Sequence, residues 1–368
     1  MVTRVVGVVG GGQLARMMIP AAEALGIRLE VLAEAPDSSA KLAATAVGDY
    51  TRLETLRSFA ARADVLTFDH EHVPTDLLAE LQAEGVSIRP AHHALVYAQD
   101  KALMRSRLAE IPVPLPAWAI AQSAAEVDKF LASHGGEAIA KTPRGGYDGK
   151  GVRVIAAGEQ VSDWLESAEV LLEEKVAFSR ELAQIVARRP SGEMRAFPLV
   201  ETIQRDGVCA EVIAPAPEAT EKLQARAAEI ATAIAGELDV TGLLAVELFQ
   251  VDEDVVVNEL AMRPHNSGHV FTEGAVTSQF EQHLRAVLDW PLGETQLVHP
   301  WSTMVNLFGG AGNERMRAAM EVSDRVRPHA YGKEPRPGRK AGHIVVSGAK
   351  LEEVRGIAQR AAEAEESS

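Results

Sequence analysis

The segment GLLAVELFQVDEDVVVNELAMRPHNSGH, residues 242–269, contains two apolar β runs on either side of the acidic tripeptide 252–254. This pattern predicts a β-hairpin with a three-residue loop. If the loop is centred on Glu253, then Glu247, six residues before it, faces Glu259, six residues after it. The two carboxylates would then lie opposite each other on one face of the hairpin.

Two carboxylates that face each other across a sheet repel, so the predicted pair requires a counter-charge. A divalent cation supplies one, since Mg²⁺ is usually bound by one or two carboxylates with places left for water and phosphate oxygens. Mn²⁺ prefers similar oxygen ligands and is the second candidate. The alternative is a register shifted by one residue, which would place Glu247 and Glu259 on opposite faces.

The polar run RPHNSGH follows the second acidic strand directly and contains Arg263, His265, Asn266, Ser267 and His269. Clustered donors beside a cation site suit an anion that undergoes group transfer. A lone histidine would more often be structural, but five polar groups in seven residues favour a site.

The loop TPRGGYDGKGV, residues 142–152, contains four glycines and follows a predicted strand that ends at Lys141. Backbone N–H groups on such a loop can close over a polyphosphate, and Lys141 adds a point charge. It is not a Walker P-loop, because Arg144 occupies the required glycine position and Gly151 follows Lys150. A flexible hairpin without a ligand is the alternative.

The stretch EVLLEEKVAFSREL, residues 169–182, is a strand that continues into acidic residues. Glu173 and Glu181 could meet the amino and hydroxyl groups of an adenosine, while the backbone around Lys175 and Val176 reads the base edge. Considered alone, the stretch fits a solvated strand face better than a nucleotide site.

Near the N-terminus, VVGVVGGGQLARMM places Gly10, Gly12 and Ala15 in the spacing of a dinucleotide-binding fingerprint, and Glu34 follows a second apolar run. An NAD-dependent oxidoreductase is therefore one hypothesis. The other is a tight strand-to-helix turn that presents helix N-terminal N–H groups to some anion.

A basic segment, YGKEPRPGRKAGH, residues 331–343, groups Lys333, Arg336, Arg339 and Lys340 in an otherwise acidic chain. Arg and Lys side chains both suit phosphate, so the segment predicts a pocket for a substrate phosphate. A solvated basic turn is the alternative.

The chain has 368 residues, is 46% hydrophobic and has a formal net charge of -15, with 52 acidic against 37 basic residues. This charge argues against nucleic-acid and membrane partners. The single cysteine, Cys209, excludes an internal disulfide and a cysteine-rich zinc site and fits a cytoplasmic location. The N-terminal apolar run is interrupted by Arg4, glycines and Arg16, so neither a membrane span nor a signal peptide is expected.

Residues 4–89 alternate β runs, the last being VSIRP, with helical patterns, which predicts a doubly wound parallel sheet of the α/β class. A long helix is expected from His92 to Ile111. A small α+β lid, three strands over residues 178–214 and a helix over about 218–237 follow. The predicted division is residues 1–100, residues 101–295 with the lid at about 115–185, and a C-terminal domain at residues 296–368.

The motifs GGGQLARM, TFDHEHVP, AQDK, KTPRGGYDGKG, RPHNSGH with TSQFEQHLRAVL, and RPGRKAGH, in this order, resemble those of the ATP-grasp ligases. The resemblance is closest to the 5-(carboxyamino)imidazole ribonucleotide synthases of purine biosynthesis and runs from residue 5 to about 345. It implies an ATP-grasp fold: a pre-ATP-grasp α/β domain, a lid, and a central and C-terminal region built on antiparallel sheet. Asp69 and His70 depart from the family pattern, so a role is transferred only to Glu71.

The resemblance also implies roles for individual residues. Glu247 and Glu259 correspond to the Mg²⁺ ligands, in agreement with the hairpin argument. Residues implied to hold ATP are Lys101, Lys141, Gly146, Gly149, Glu173, Lys175, Val176, Glu181, Asn258 and Glu259. Residues implied in catalysis on bicarbonate and its phosphorylated form are Arg263, His265, Asn266 and Lys141. Residues implied to hold the ribonucleotide are Gly11, Gly12, Gln13, Leu14, Glu71, Tyr147, Asp148, Lys333, Arg339 and Lys340.

The implied activity is carboxylation of 5-aminoimidazole ribonucleotide with bicarbonate, through carboxyphosphate, to give the N5-carboxylated ribonucleotide, ADP and phosphate, in a homodimer. The glycine-rich turn would then face the ribonucleotide rather than NAD. The runner-up is another carboxylate-amine ligase, such as the formate-dependent glycinamide ribonucleotide transformylase. An NAD-dependent oxidoreductase and a binding module without turnover are the alternatives from other classes.

Overall fold

The structure is a computed structural model that describes residues 3–146 and 151–364, and these residues form three β-sheets flanked by helices. Within these ranges, no helix has the length and apolarity that crossing a membrane requires. The division into domains 1–100, 101–295 and 296–368 stays a prediction.

The N-terminal sheet is parallel, with the strand order β3-β2-β1-β4. Its elements are β1 (Val5–Val9), α1 (Gln13–Ala24), β2 (Arg28–Ala33), β3 (Ala44–Val47), α2 (Leu53–Ala60), β4 (Val65–Phe68), α3 (Thr75–Ala83), α4 (His92–Gln99) and α5 (Lys101–Leu108). The apolar side chains of α1 pack on one face of the sheet with Val6 and Val8. Those of α2 and α3 pack on the other face with Val9 and Phe68. The predicted doubly wound parallel domain is therefore confirmed.

Two predictions for this region are wrong in detail. The stretch VSIRP forms only an isolated bridge between Ile88 and Leu66, because Pro90 has no N–H with which to extend the ladder. The helix expected from His92 to Ile111 is broken at Asp100, which adopts an extended conformation. Its carboxylate instead caps α5. It accepts hydrogen bonds from the backbone N–H groups two and three residues further along the chain, both at 3.0 Å.

A small antiparallel sheet with the order β5-β8-β6-β7 forms the lid. Its elements are β5 (Trp118–Ala121), α6 (Ala124–Ser133), β6 (Ala138–Lys141), β7 (Val152–Ile155), α7 (Ser162–Leu165) and β8 (Val170–Glu174). Lys141 is the last residue of β6, at the base of the glycine-rich loop.

The largest sheet has nine strands, with the order β14-β13-β9-β11-β12-β15-β17-β16 and with β10 paired to β9. Its elements are β9 (Arg180–Arg188), β10 (Met194–Ala196), β11 (Val200–Arg205), β12 (Val208–Ala214), α8 (Glu221–Glu237), β13 (Gly242–Val251), β14 (Asp254–Ala261), α9 (Phe271–Gly274), α10 (Gln279–Val287), β15 (Trp301–Gly309), α11 (Asn313–Val322), β16 (Arg327–Ala330), β17 (Arg336–Gly348) and α12 (Leu351–Glu363). Residues 178–214 thus contain four strands rather than the predicted three, because the segment around Pro198 separates β10 from β11.

The hairpin of β13 and β14 has a two-residue turn rather than the predicted three-residue loop, since Val251 already pairs with Asp254. With that turn alone, Glu247 would face Asn258. A β-bulge adds one residue to β14 between the pairs Leu248 with Val257 and Glu247 with Glu259. The predicted pairing of Glu247 with Glu259 is confirmed, although the bulge rather than the loop length produces it.

Helix α10 joins the large sheet to the N-terminal domain. Its apolar residues Phe280 and Leu284 pack in the same core as α1. Its His283 is buried and contacts Oγ1 of Thr67 in β4 at 2.8 Å through Nε2, while Nδ1 accepts from the backbone N–H of Leu243 in β13 at 3.2 Å. The helix therefore holds the strand that carries Glu247 against the parallel sheet.

Candidate active site

The facing carboxylates Glu247 and Glu259 form the centre of the site. Lys101, at the start of α5, contacts Glu259 at 2.5 Å between Nζ and Oε1. His265 contacts Glu247 at 3.3 Å between Nε2 and Oε1. The side chains of Glu247 and Glu259 are 35% and 37% exposed, so both keep oxygen lone pairs that a ligand can reach.

Electrostatics keep Glu247 ionised. Burial alone would raise the pKa of this carboxyl, but the hydrogen bond from His265 and the charges of Lys141 and Arg263 hold the pKa below its ordinary value of 4.5. At neutral pH Glu247 is therefore a carboxylate with its negative charge available to a ligand.

Behind the pair lies a buried charged cluster. Glu173, on β8 of the lid, is 4% exposed and accepts from Lys141 at 2.7 Å and from Nε of Arg105. Arg105 is fully buried and also donates to the backbone oxygens of Val257 at 2.9 Å and of the bulge residue Asn258 at 2.5 Å. Lys141 reaches Oδ1 of Asn258 at 3.1 Å. The lid, α5 and the hairpin thus meet through one set of paired charges.

The base of the glycine-rich loop is fixed to α5. Pro143 accepts from the backbone N–H of Lys101 at 2.8 Å, and Arg144 contacts the capping carboxylate of Asp100 at 2.8 Å. Gly151 lies so close to Thr142 that an added Cβ would be 2.4 Å from Oγ1. Of the predicted site residues, Gly146 is described, whereas Tyr147, Asp148 and Gly149 lie outside the described residues.

The RPHNSGH segment begins where β14 ends, beside the acidic pair. Arg263 donates from Nε to Glu71 of the N-terminal domain at 2.7 Å. Burial alone would lower the pKa of Arg263, but the carboxylates of Glu71, Asp69 and Glu247 raise it above its ordinary value. Both amide atoms of Asn266 are buried and have no nitrogen or oxygen hydrogen-bond partner among the described residues.

The contacts of His265 define its tautomer when the ring is neutral. The backbone N–H of Ser267 points at Nδ1 from 3.4 Å and can only donate, so Nδ1 is an acceptor. The ring proton is therefore on Nε2, which faces Glu247. The hydroxyl of Ser267, 2.9 Å from Nδ1, can donate to it or accept from it if the tautomer changes.

Apart from the acidic pair, a cavity lies at the carboxyl end of the parallel sheet, where the basic segment meets the glycine-rich turn. Its lining residues include Gly11, Gly12, Lys333, Arg336 and Arg339. Lys333 donates to Oε1 of Gln13, the first residue of α1. The structure therefore brings together two segments, more than 300 residues apart, that the family resemblance assigns to the ribonucleotide. Leu14, in contrast, is in the core, so only its backbone can face this cavity.

Asp69 is a site residue that the sequence argument missed. Its buried carboxylate accepts from the N–H of Ala15 in the first turn of α1 at 2.7 Å. An added Cβ at Gly12 would be 1.9 Å from Oδ2 of Asp69. The chain's own carboxylate thus occupies the helix N-terminus that would hold a pyrophosphate in a dinucleotide fold, which argues against NAD binding. Its position directly after β4 was the available signal.

Glu34, the expected ribose-binding acid of that hypothesis, is also engaged. It accepts from the N–H of Gly11 at 3.0 Å and contacts His70 at 3.2 Å. The hydrogen bond to His70, only partly opposed by burial and assisted by that from Gly11, lowers the pKa of Glu34 to about 2.

The remaining predicted residues lie after β8, in β9 and in β17. Lys175 and Val176 follow β8, and Nζ of Lys175 forms an exposed ion pair with Glu137 at 2.9 Å. Glu181 lies in β9, where burial and the charge of Glu247 raise its pKa. Lys340 lies in β17, opposite Phe308.

Comparison with known proteins gives three matching families along the chain. Residues 2–99 match the ribonucleotide synthetase preATP-grasp domain, residues 106–280 the ATP-grasp domain, and residues 302–356 the phosphoribosylaminoimidazole carboxylase C-terminal domain. The chain is 48% identical over 353 residues to the N5-carboxyaminoimidazole ribonucleotide synthase of Mycobacterium tuberculosis, across 92% of this chain and 82% of the relative. This chain belongs to the N5-carboxyaminoimidazole ribonucleotide synthase family.

Solved structures of the same family agree over the whole chain. The N5-carboxyaminoimidazole ribonucleotide synthetase of Thermus thermophilus has a TM-score of 0.90 at 34% identity and covers 99% of both chains. The N5-carboxyaminoimidazole synthase of Aspergillus clavatus, in complex with ADP and the aminoimidazole ribonucleotide, has a TM-score of 0.88 at 32% identity and covers 98% of both chains. The ATP-grasp fold that the motifs predict is therefore confirmed.

Proposed function

We propose that this chain is an ATP-dependent carbon-nitrogen ligase that carboxylates 5-aminoimidazole ribonucleotide with bicarbonate. The products are N5-carboxyaminoimidazole ribonucleotide, ADP and phosphate. The observation that carries the proposal is the facing pair Glu247 and Glu259, set between Lys101 and Lys141 and directly beside Arg263 and the RPHNSGH segment. Family membership names the reaction, and this arrangement supplies the groups that it needs.

We assign ATP to the cleft between the lid and the large sheet. A related carboxyaminoimidazole ribonucleotide synthase from Aspergillus clavatus was solved in complex with ATP, which supports ATP as the ligand. Lys101 and Lys141 would contact phosphate oxygens as point charges. Glu173 already pairs with two cationic side chains, Arg105 and Lys141, which supports a role in holding Lys141 in place. Its contact with adenosine stays a prediction. Residues that we assign to the nucleotide in addition are Gly146, Gly149, Lys175, Val176, Glu181 and Asn258.

We further propose that Glu247 and Glu259 hold Mg²⁺, for which Mn²⁺ can substitute. The fit rests on the donors: two partly exposed acidic side chains side by side, each with one ion-pair partner that can be exchanged. Among the described residues, no three His, Cys, Asp or Glu side chains converge on a closed metal cage. When bound in such an open site, the ion offsets the negative charge of the phosphates.

In the proposed reaction a bicarbonate oxygen attacks the γ-phosphorus of ATP, and the bond to ADP breaks. Lys141 offsets charge on the phosphoryl group, and Arg263 holds the bicarbonate and then the carboxyphosphate anion. The side-chain amide of Asn266, which has no nitrogen or oxygen partner among the described residues, supplies an N–H donor to the same anion. The closed lid shields carboxyphosphate from water.

In the second step the exocyclic amine of the ribonucleotide takes up the CO₂ unit of carboxyphosphate. A carbon-nitrogen bond forms, phosphate leaves, and the amine loses a proton. His265 is the proposed proton acceptor. Because Nε2 carries the proton in the neutral ring, acceptance at Nε2 first requires that the proton pass to Nδ1, where the Ser267 hydroxyl can stabilise it.

We place the ribonucleotide phosphate in the cavity lined by Lys333 and Arg339, and we assign Lys340 to the same ligand. Gly11 and Gly12 also line this cavity, and Gln13, which contacts Lys333, and the backbone of Leu14 are assigned to the same ligand. Glu71, held by Arg263, together with Tyr147 and Asp148, is assigned to the sugar and base. We also propose that the enzyme is a cytoplasmic homodimer, as the single cysteine and the family resemblance favour.

The test is ATP turnover measured as phosphate release. We expect release to require both bicarbonate and 5-aminoimidazole ribonucleotide together. Replacing bicarbonate by formate, and the substrate by glycinamide ribonucleotide, should abolish it. Turnover with formate would establish the transformylase reaction instead, and binding of NAD without ATP turnover would overturn the proposal altogether.

A further inference from the structure

Gln279, the first residue of α10, is fully buried and contacts the RPHNSGH segment at three points. Its Oε1 accepts from the backbone N–H of His265 at 2.9 Å, and its Nε2 donates to the backbone oxygen of His265 at 2.9 Å. The second Nε2 hydrogen reaches Nδ1 of His269 at 3.0 Å. We propose that Gln279 is a positioning residue for His265 in the reaction assigned above, and this inference rests on that proposed function.

The three contacts determine how the amide must be oriented. Only an oxygen can accept from the N–H of His265, and only the NH₂ group can donate to its carbonyl. The imidazole of His269 must then accept at Nδ1. Its pKa is lowered well below the ordinary value, first by burial and then by the charge of His329, so the ring is neutral and can accept. Oε1 and both Nε2 hydrogens of Gln279 therefore have hydrogen-bond partners, and only one orientation of the amide provides them.

The neighbouring glycine shows how closely Gln279 is held. A Cβ added at Gly268 would be 2.2 Å from Oε1 of Gln279 and 2.7 Å from Cδ1 of Ile185. The close approach lets the RPHNSGH segment fold tightly over the amide. The position of the His265 backbone is thereby fixed relative to α10.

Helix α10 is in turn fixed to the strand that carries Glu247. His283 on this helix bonds both to β4 and to Leu243 of β13. A rigid path thus runs from Glu247 through β13 and α10 to Gln279 and His265. The contact of 3.3 Å between His265 and Glu247 closes this path. Loss of the amide would let His265 shift relative to the acid and to the reacting anion.

Gln282 on the same helix provides a matched control. It is also fully buried, and it also makes a two-point contact with one backbone residue: Gly293 donates to Oε1 at 2.8 Å and accepts from Nε2 at 2.9 Å. Gly293, however, lies in the segment before β15 and not in the RPHNSGH segment. A substitution here removes an equivalent buried amide without touching the proposed site.

The experiment compares Gln279→Met with Gln282→Met in the full chain. Both should lower the melting temperature by a similar amount. Only Gln279→Met should lower kcat, by about 100-fold, because a small misplacement of a reacting group costs about that much. The KM for ATP and the affinity for ADP should stay within about threefold of the unsubstituted chain, as expected when binding is retained. Values of kcat are taken per molecule able to bind ADP.

Equal kcat in both variants would overturn the inference. If the methionine variants do not fold, Gln279→Glu decides, because it keeps the shape and the acceptor for the His265 N–H but cannot donate to the His265 oxygen when ionised. Reduced kcat with unchanged KM for ATP supports the inference, whereas unchanged kcat, or failure of this variant to fold, overturns it. An unsubstituted chain without bicarbonate- and ribonucleotide-dependent turnover would instead refute the proposed function.

Discussion

Glu173 lies in the same charged network as the hairpin pair Glu247 and Glu259 but in different surroundings. It is 4% exposed, with two cationic partners, Arg105 and Lys141. The hairpin acids are about a third exposed, and each has one ion-pair partner among the described residues. The buried acid is thus saturated, whereas the hairpin acids keep free coordination capacity.

The difference separates structural support from chemistry. A buried ion pair tolerates the loss of neither partner, because the remaining charge stays in a low-dielectric environment. A partly exposed carboxylate can exchange a lysine or histidine for a metal ion at little cost in solvation. We therefore expect substitution of Glu173 to affect stability first, and substitution of Glu259 to affect turnover first.

The largest expected effect is on turnover in Glu259→Gln. The substitution removes one of the two proposed cation ligands, and phosphate release should fall by about a thousandfold or more. Its melting temperature should change little. Steady-state phosphate release at saturating substrates measures the first effect, and thermal unfolding measures the second. Glu193→Gln is the control, since Glu193 is 28% exposed and pairs with Arg189 at 2.7 Å outside the site.

Turnover of Glu259→Gln within about tenfold of the unsubstituted chain would refute the role of the pair as cation ligands. Loss of folding in this variant would show that the hairpin acids, like Glu173, serve stability. Either result would remove the distinction between the two regions.

The next effect is on stability in Glu173→Gln. Removing this carboxylate leaves Arg105 and Lys141 without their shared buried partner, and the free energy of unfolding should fall by about 3–5 kcal/mol. Urea unfolding measures the change. The control is Glu137→Gln, which breaks the exposed pair with Lys175 and should cost at most about 1 kcal/mol. A similar decrease in the free energy of unfolding in both variants would contradict the contrast between buried and exposed ion pairs.

The smallest expected effect is on the pH dependence of the free energy of unfolding, through Glu173. Burial would raise the pKa of Glu173, but Arg105 and Lys141 hold the pKa below its ordinary value of 4.5. Between the folded and unfolded pKa values the unfolded chain binds the extra proton. The stabilisation is therefore complete above pH 4.5 and is lost as the pH falls through the folded-state pKa.

The measurement for this prediction is urea unfolding of the unsubstituted chain and of Glu173→Gln as a function of pH. The difference in their free energies of unfolding should be constant near neutral pH and should narrow below pH 4.5. A difference that widens on acidification would mean that the folded-state pKa of Glu173 is raised, which would contradict the charge pairing.

The central pair was predicted from the sequence by counting residues outward from an assumed three-residue loop. The turn is one residue shorter than predicted, and the bulge at Asn258 restores the pairing. Two departures cancel here, and no local pattern announces the bulge. The break at Asp100, by contrast, was readable: an aspartate followed by a helical run is a preferred N-cap.

Other parts of the site depend on contacts between distant segments. Arg105 meets Glu173 from 68 residues away, and Asp69 caps a helix that begins 56 residues earlier. Neither partner is identified by periodicity or spacing. The resemblance of the motifs assigned the basic segment and the glycine-rich turn to one ligand. The contact between Lys333 and Gln13, in contrast, could be seen only in the structure.

The bulged strand β14 is the outermost strand of the large sheet among the described residues, so one border of it faces no further strand. Along this border Val257 donates to the oxygen of Pro114 at 2.9 Å. The guanidinium of Arg105 takes up the carbonyls of Val257 and Asn258. These backbone groups are therefore not available for pairing with a strand of a second molecule. The buried Arg105 thus also protects this edge of the sheet from edge-to-edge aggregation.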